Sequence, residues 1–313
     1  MIAPVVLLGF NRPGVTRRVV EEIVRAKPEK VYLVADGPRE NNPEDEELCS
    51  HVRSIMTSAA WEGEVHTLFS DRNLGLKSRV TSGLDWVFER EDRAIVLEDD
   101  CLPEASFFPF MTELLERYLG DERVGMISGN NFLRGNFVDS NSYYFSFDTR
   151  IWGWGTWKRT WRAYSEKSAD REWTAAEVRL LASRLQASYR RQSLASAARD
   201  INSLDTWDVG FLLHCLQQGY LNVTPAVNLV WNIGFGQGAT HTKFESFTAE
   251  VPATPIKFPL VHPQSVKCHP FAGLLEARLE RREWLKYPLR HPLNVLGRVL
   301  RYLKSRSDKA RSD

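Results

Sequence analysis

The sequence predicts an α/β protein: a mostly parallel sheet covered by helices on both faces, followed by a mixed second half. Three observations predict it. Short β-type runs alternate with helical patterns through roughly the first 130 residues. Three of the four helical stretches there open on Pro or acidic residues, as first turns prefer. After Asn131 the alternation gives way to clustered Trp and Gly.

In chain order, "PVVLLGF" is the first strand. Pro13 suits the first turn of the helix that follows, where Val15, Val19, Ile23 and Val24 share a face. "KVYLVADG" is the second strand, closed by an Asp36-Gly37 turn. "PEDEELCSHVRSIMTSA" is a helix with acids at its front. "EVHTLFSD" is the third strand and "LKSRVTSGLDWVFER" the next helix. "RAIVLEDD" is the fourth strand. A helix is expected over "PEASFFPFMTELLERYL" from near Pro103, kinked if Pro109 lies inside it. "RVGMISGNN" is the fifth strand. Beyond Asn131, "SYYFSF" reads as a strand and "REWTAAEVRLLASRLQASYRRQSLASAARD" as a mostly helical insert. "TWDVGFLLHCLQQGY" reads as a helix, "NVTPAVNLVWNIG" as a strand and "GFGQGATHT" as a loop.

The 313 residues suffice for one large or two fused domains with a real core. Net charge is +1, so no global field steers the chain toward nucleic acid, and no nucleic-acid partner is expected. Four scattered cysteines (Cys49, Cys101, Cys215, Cys268) fit free thiols in a reducing compartment and give a zinc site little support. The N-terminus lacks a basic start and a cleavage site, which argues against a signal peptide. No apolar run approaches the ~20 residues of a membrane span. A cytoplasmic location is therefore expected. Ten Trp and nine Tyr offer flat faces for sugar rings, or simply core.

In open parallel sheets, ligands collect beyond the carboxyl ends of the strands. There the sequence places Asn11-Arg12, Asp36-Gly37, Asp71-Arg72-Asn73 and Glu98-Asp99-Asp100. The last three repel one another. Two carboxylates on a hard divalent cation lose that repulsion, and Mn²⁺ or Mg²⁺ often takes one or two carboxylates plus substrate phosphates. A solvated acidic turn or a helix cap remains the alternative. The tail is basic: from Leu274 onward it has eleven Lys or Arg against five Asp or Glu. "PLNVLGRVLRYLKSR" is amphipathic, which suits either peripheral contact with an anionic membrane surface or docking on its own domain.

"FNRPGVTRRVV", "VADG", "RNLGLKSRVTSGLDWVF", "VLEDDCLPEASFF", "MISGNN", "FDTRIWGWGTWKRTW", "LDTWDVGF" and "NIGFGQGATHT" follow one another as landmarks over about 240 residues. Together they resemble GT-A-fold (Rossmann-like) glycosyltransferases, the group of N-acetylglucosaminyltransferase I and its bacterial family 2-like relatives. The basic amphipathic tail, read from charge and periodicity, takes up 273–313; the resemblance implies a nucleotide-binding half over residues 1–131 and an acceptor-side half over 132–272. It implies Mn²⁺ or Mg²⁺ on Asp100, with His241 as a further metal or phosphate contact. Donor contacts would come from Asn11, Arg12, Asp36, Asn73, Lys77, Arg79, Glu98 and Asp99, and from the loop of Gly236 and Gly238. Asp208 would be the general base, with Asp205 as its rival by spacing, and Trp152, Trp154 and Trp157 could wall the acceptor site.

The implied activity is bacterial polysaccharide biosynthesis: inverting, metal-dependent transfer of a sugar from a UDP-type donor to a hydroxyl of a saccharide or glycolipid. Two departures stand out. Val209 replaces the second Asp of the family's Trp-Asp-Asp-Trp, and Ser106 replaces the Asp of its Pro-Asp-Phe-Phe. Competing readings are an inactive relative that binds nucleotide or glycan, and a sugar nucleotidylyltransferase. The latter would need a Gly-rich, Arg-Lys-bearing loop after strand one, where Pro13 stands.

Overall fold

A computed structural model of the chain describes residues 1–136, 139–234 and 251–290. Strands and helices alternate at first: β1 (Val5–Gly9), α1 (Pro13–Ala26), β2 (Lys30–Ala35), α2 (Glu44–Ser58), β3 (Glu64–Phe69), α3 (Leu76–Phe88) and β4 (Arg93–Glu98). Then come β5 (Cys101–Pro103), α4 (Phe107–Arg117), β6 (Val124–Ser128), β7 (Tyr143–Ser146), β8 (Trp154–Trp157) and α5 (Lys158–Lys167). The remainder comprises α6 (Ala175–Ala182), α7 (Ser188–Ala197), α8 (Asp208–Gln218), β9 (Leu221–Pro225), β10 (Val230–Asn232) and α9 (Ala272–Arg290).

Eight strands form one sheet in the order β3-β2-β1-β4-β8-β6-β9-β7. The first four are mutually parallel; β8 runs antiparallel between β4 and β6, and β7 runs antiparallel to β9. Strands buried on both faces read as continuous apolar runs, which is why "PVVLLG" and "RAIVLE" were legible. Their side chains alternate. Val5, Leu7, Leu33, Ile95 and Leu97 pack into one core layer with α1, α2 and α4. Val6, Val34 and Val96 pack into the other with α3, α5 and α8. A satellite core joins α6, α7 and α8 around Trp173, Val178, Leu194 and Leu213.

Several expectations are corrected. Pro103 ends β5, so α4 starts at Phe107. Pro109 then falls in the first turn, where a missing N–H costs little. "NVTPAVNLVWNIG" divides into β9 and β10. The Trp-rich run becomes β8 and α5, entered through Gly153 at φ +68°. Its Trp154, Trp157 and Trp161 are buried core. Trp154 stacks on Trp207 at 5.3 Å, and the Trp157 indole donates to the Leu115 carbonyl at 2.9 Å. They therefore do not wall an acceptor site. Trp152 is only partly buried and lies edge-on to Phe132. All four cysteines are free. Among the described residues no helix is long and apolar enough to cross a membrane. The expected amphipathic run from Leu293 lies outside the described residues.

Candidate functional site

The carboxyl ends of β1, β2, β3 and β4 share one rim, and the polar groups that follow each strand meet there. Arg12 leaves β1 just before Pro13 opens α1. Its Nη1 donates to Asp100 Oδ2 at 2.9 Å and its Nη2 to Asp99 Oδ1. The Phe10 N–H also donates to Asp99. Asp99 and Asp100 are both buried, at 2% and 7% exposure. Burial works against the Arg12 charge, but the two carboxylates outweigh it and hold its pKa above the ordinary value.

One guanidinium does not balance three carboxylates. Burial, then Asp100 and Asp99, push Glu98 up to about 8. Burial also raises Asp99, against the pull of Arg12. Asp99 Oδ2 is buried with no hydrogen-bond partner among the described residues. Excess negative charge and an orphaned carboxylate oxygen suit a cation. Among the described residues no three His, Cys, Asp or Glu side chains form a metal-holding group, so the described residues would supply one or two ligands.

Asp36 forms the neighbouring part of the rim. It accepts from the N–H groups of Gly37 and Leu74, each at 2.9 Å, and from Asn73 Nδ2 at 3.0 Å. This pins the end of β2 to the loop after β3. Burial raises the Asp36 pKa against those donors. Gly37 is required because a Cβ there would lie 2.5 Å from the Arg72 backbone. Arg79 is buried nearby; burial lowers its pKa while Asp36 opposes, and its Nε has no hydrogen-bond partner among the described residues.

Two expected contacts point elsewhere. Asn11 donates to the buried Asp45 at 2.8 Å, and Lys77 pairs with Asp170 at 3.3 Å.

The second half reaches the rim twice. A small antiparallel ribbon pairs β10 with β5, and the Ile233 N–H donates to the Asp100 carbonyl at 2.8 Å. The ribbon lays Gly234 on the acidic turn. A Cβ there would sit 2.1 Å from Asp100 Oδ2 and 2.8 Å from Arg12 Nη1. Asp208 is the second contribution. It opens α8 without capping it, and its negative charge helps to raise the Glu98 pKa. The Thr206 hydroxyl donates to its Oδ1, and the Tyr164 hydroxyl fixes the preceding Trp207 carbonyl at 3.0 Å. Asp208 also borders a cavity of about 110 Å³ with Thr149, Ile151, Ser193, Leu194 and Ile201 among its walls. Its rival Asp205 lies instead over Gly75 at the start of α3, where a Cβ would come 3.2 Å from its Oδ2.

Arg12, Asp99 and Asp100 thus form one ion-paired group next to Glu98, on which the charge of Asp208 also acts; Asp36 and Asn73 form the neighbouring part of the rim, with Arg79 on α3 close by. Gly236, Gly238 and His241 lie outside the described residues. Sequence reasoning missed the approach of Gly234 to Asp100 and the Thr206 clamp. The ribbon strands behind the first are three residues each, too short for a periodic signal.

No protein-family model and no curated protein matches the sequence. Among solved structures, 4-diphosphocytidyl-2C-methyl-D-erythritol synthase from Anaerococcus prevotii is similar at TM-score 0.35 and 10% identity, covering 55% of this chain and 79% of its own. An active-site mutant of LgtC is similar at TM-score 0.34 and 10% identity, covering 68% of this chain and 70% of its own. UDP-glucose pyrophosphorylase in complex with UDP-glucose is similar at TM-score 0.33 and 11% identity, covering 70% of this chain and 97% of its own.

Proposed function

We propose that the chain is a GT-A-type glycosyltransferase that moves a sugar from a UDP-type nucleotide sugar to a hydroxyl of a saccharide or glycolipid, with inversion. The observation that carries the reading is the Arg12-paired Asp99 and Asp100 next to Glu98 at the strand end, with Asp208 of the second half near enough for its charge to act on Glu98. A transferase needs a base on one side of the sugar carbon and charge neutralisation of the leaving diphosphate on the other. Asp208 is the base. Thr206 fixes its Oδ1, leaving Oδ2 to take the acceptor proton. The adjoining cavity is the seat of the acceptor. Arg12, whose Nη1 and Nη2 each donate one N–H to Asp100 and Asp99, has further N–H groups and its charge to offer a diphosphate. Asp36 and Asn73 hold the nucleotide base end.

Asp100, with Asp99 behind it, would hold Mn²⁺ or Mg²⁺, which neutralises charge on the departing diphosphate. Residues 1–131 would form the donor half and 132–272 the acceptor half; the expected donor contacts Gly236, Gly238 and His241 lie outside the described residues.

Isothermal titration with UDP, with and without Mn²⁺, tests this. Metal-dependent UDP binding, lost in Asp100→Ala and kept in Asp208→Asn, is the expected result. Absence of UDP binding with Mn²⁺ present would sink the reading. Binding without consumption of any nucleotide sugar would favour a binding protein. Release of pyrophosphate from UTP and a sugar phosphate would favour a nucleotidylyltransferase.

A further inference from the structure

Among the described side chains, helix α9 docks by one face. Ala272 is buried, Leu275 and Leu279 pack with Leu133 and Tyr144, and Glu276 reaches inward to Arg150. At 100° per residue, Phe271, Leu274, Arg278, Arg281, Arg282 and Leu285 fall within an arc of about 100° on another side. All six are exposed, with Phe271 at 68%, Leu274 at 55% and Leu285 at 60%. A single exposed Leu is ordinary. Here three large apolar side chains lie along about 20 Å of one helix face. Three guanidinium groups are interleaved with them, and the face carries no acid.

None of the three arginines makes an ion pair with a described residue. The face is wholly cationic in a chain of formal net charge +1, and residues 291–313 continue the bias with six Lys or Arg against two Asp.

This chemistry fits a bilayer surface. Phosphate oxygens accept from guanidinium forks, Arg stems lie along apolar surface, and Phe and Leu enter the boundary between headgroups and acyl chains. We propose that this face of α9 is a docking surface for an anionic phospholipid bilayer, which holds the chain at the membrane without spanning it. The proposal stands independently of the transferase reading.

The test is co-sedimentation of the full chain with phosphatidylcholine vesicles, with and without phosphatidylglycerol. Binding to the anionic vesicles and release by added salt are expected. Replacing Arg278, Arg281 and Arg282 together by Gln should lower the partition coefficient about a hundredfold, whereas Lys at the same positions should retain it. Replacing Phe271, Leu274 and Leu285 together by Ser should also abolish binding. Because all six side chains are exposed, the variants should melt like the wild type. Three outcomes would overturn the proposal: no binding to anionic vesicles, equal binding by the Gln variant, or a concentration-dependent dimer that the Ser variant dissolves.

Discussion

Replacing Arg12 by Met keeps an apolar stem and removes the one charge that Asp99 and Asp100 share. The carboxylates stay in place, their side chains only 3% and 10% exposed. Removing one partner of a buried ion pair costs about 3–5 kcal/mol. An unfolding entropy of about 2.1 cal/mol/K per residue makes each kcal/mol worth roughly 1.5 °C in this chain, so the melting temperature should fall by about 5–8 °C. The loss should depend on pH. Burial already raises the Asp99 pKa against the pull of Arg12, so without Arg12 Asp99 holds its proton in the native state at pH values where the unfolded chain has released it. Stability then declines as pH rises through that window and recovers below it. Millimolar Mn²⁺ should restore part of the loss, about 2.7 kcal/mol at a hundredfold excess over its dissociation constant. The assay is a thermal melt of both proteins from pH 5 to 8, with and without Mn²⁺. A variant that melts within a degree of the wild type at pH 8, or whose deficit is the same at pH 5, would refute the pairing argument.

Gly234→Ala should drive a methyl into the Asp100–Arg12 pair and weaken UDP binding by at least about tenfold, as one lost charge-assisted contact implies. Gly14→Ala, with nothing within 4 Å of its Cβ, is the control, and titration calorimetry reads both. His214 tests the core behind α8. It is fully buried, and burial, then Lys167, lower its pKa from 6.5 to about 4. The native state therefore binds fewer protons than the unfolded state between those values, so its contribution is present above pH 6.5 and lost as pH falls toward 4. The stability difference between wild type and His214→Gln should shrink by about 3 kcal/mol from pH 7 to pH 4 in urea titrations; a constant difference would reject it. Asp205→Asn should leave transfer within about threefold of wild type, since Asp205 sits over Gly75 at the start of α3.

The parallel half of the fold was legible because its strands are apolar runs closed by turn residues. The rim was legible because polar residues follow four of those strands. What stayed hidden was non-local. Trp154 and Trp157 look like ligand-facing aromatics in sequence, and only the antiparallel insertion of β8 shows them to be core. Asn11 and Lys77 sit at rim positions by spacing, yet Asp45 and Asp170 draw them away from 34 and 93 residues along the chain. The choice between Asp205 and Asp208 was open by spacing. In space the charge of Asp208 acts on Glu98, whereas Asp205 lies over Gly75, and neither placement can be read from spacing.

The central claim is that the strand-end carboxylates and Asp208 form one transfer site. The most direct measurement is consumption of a panel of nucleotide sugars with Mn²⁺ and saccharide acceptors, comparing wild type with Asp208→Asn after both are shown to bind UDP equally. The account predicts that the variant retains binding and loses at least about 100-fold in transfer, the low end of general-base catalysis. Transfer by Asp208→Asn at the wild-type rate would contradict it.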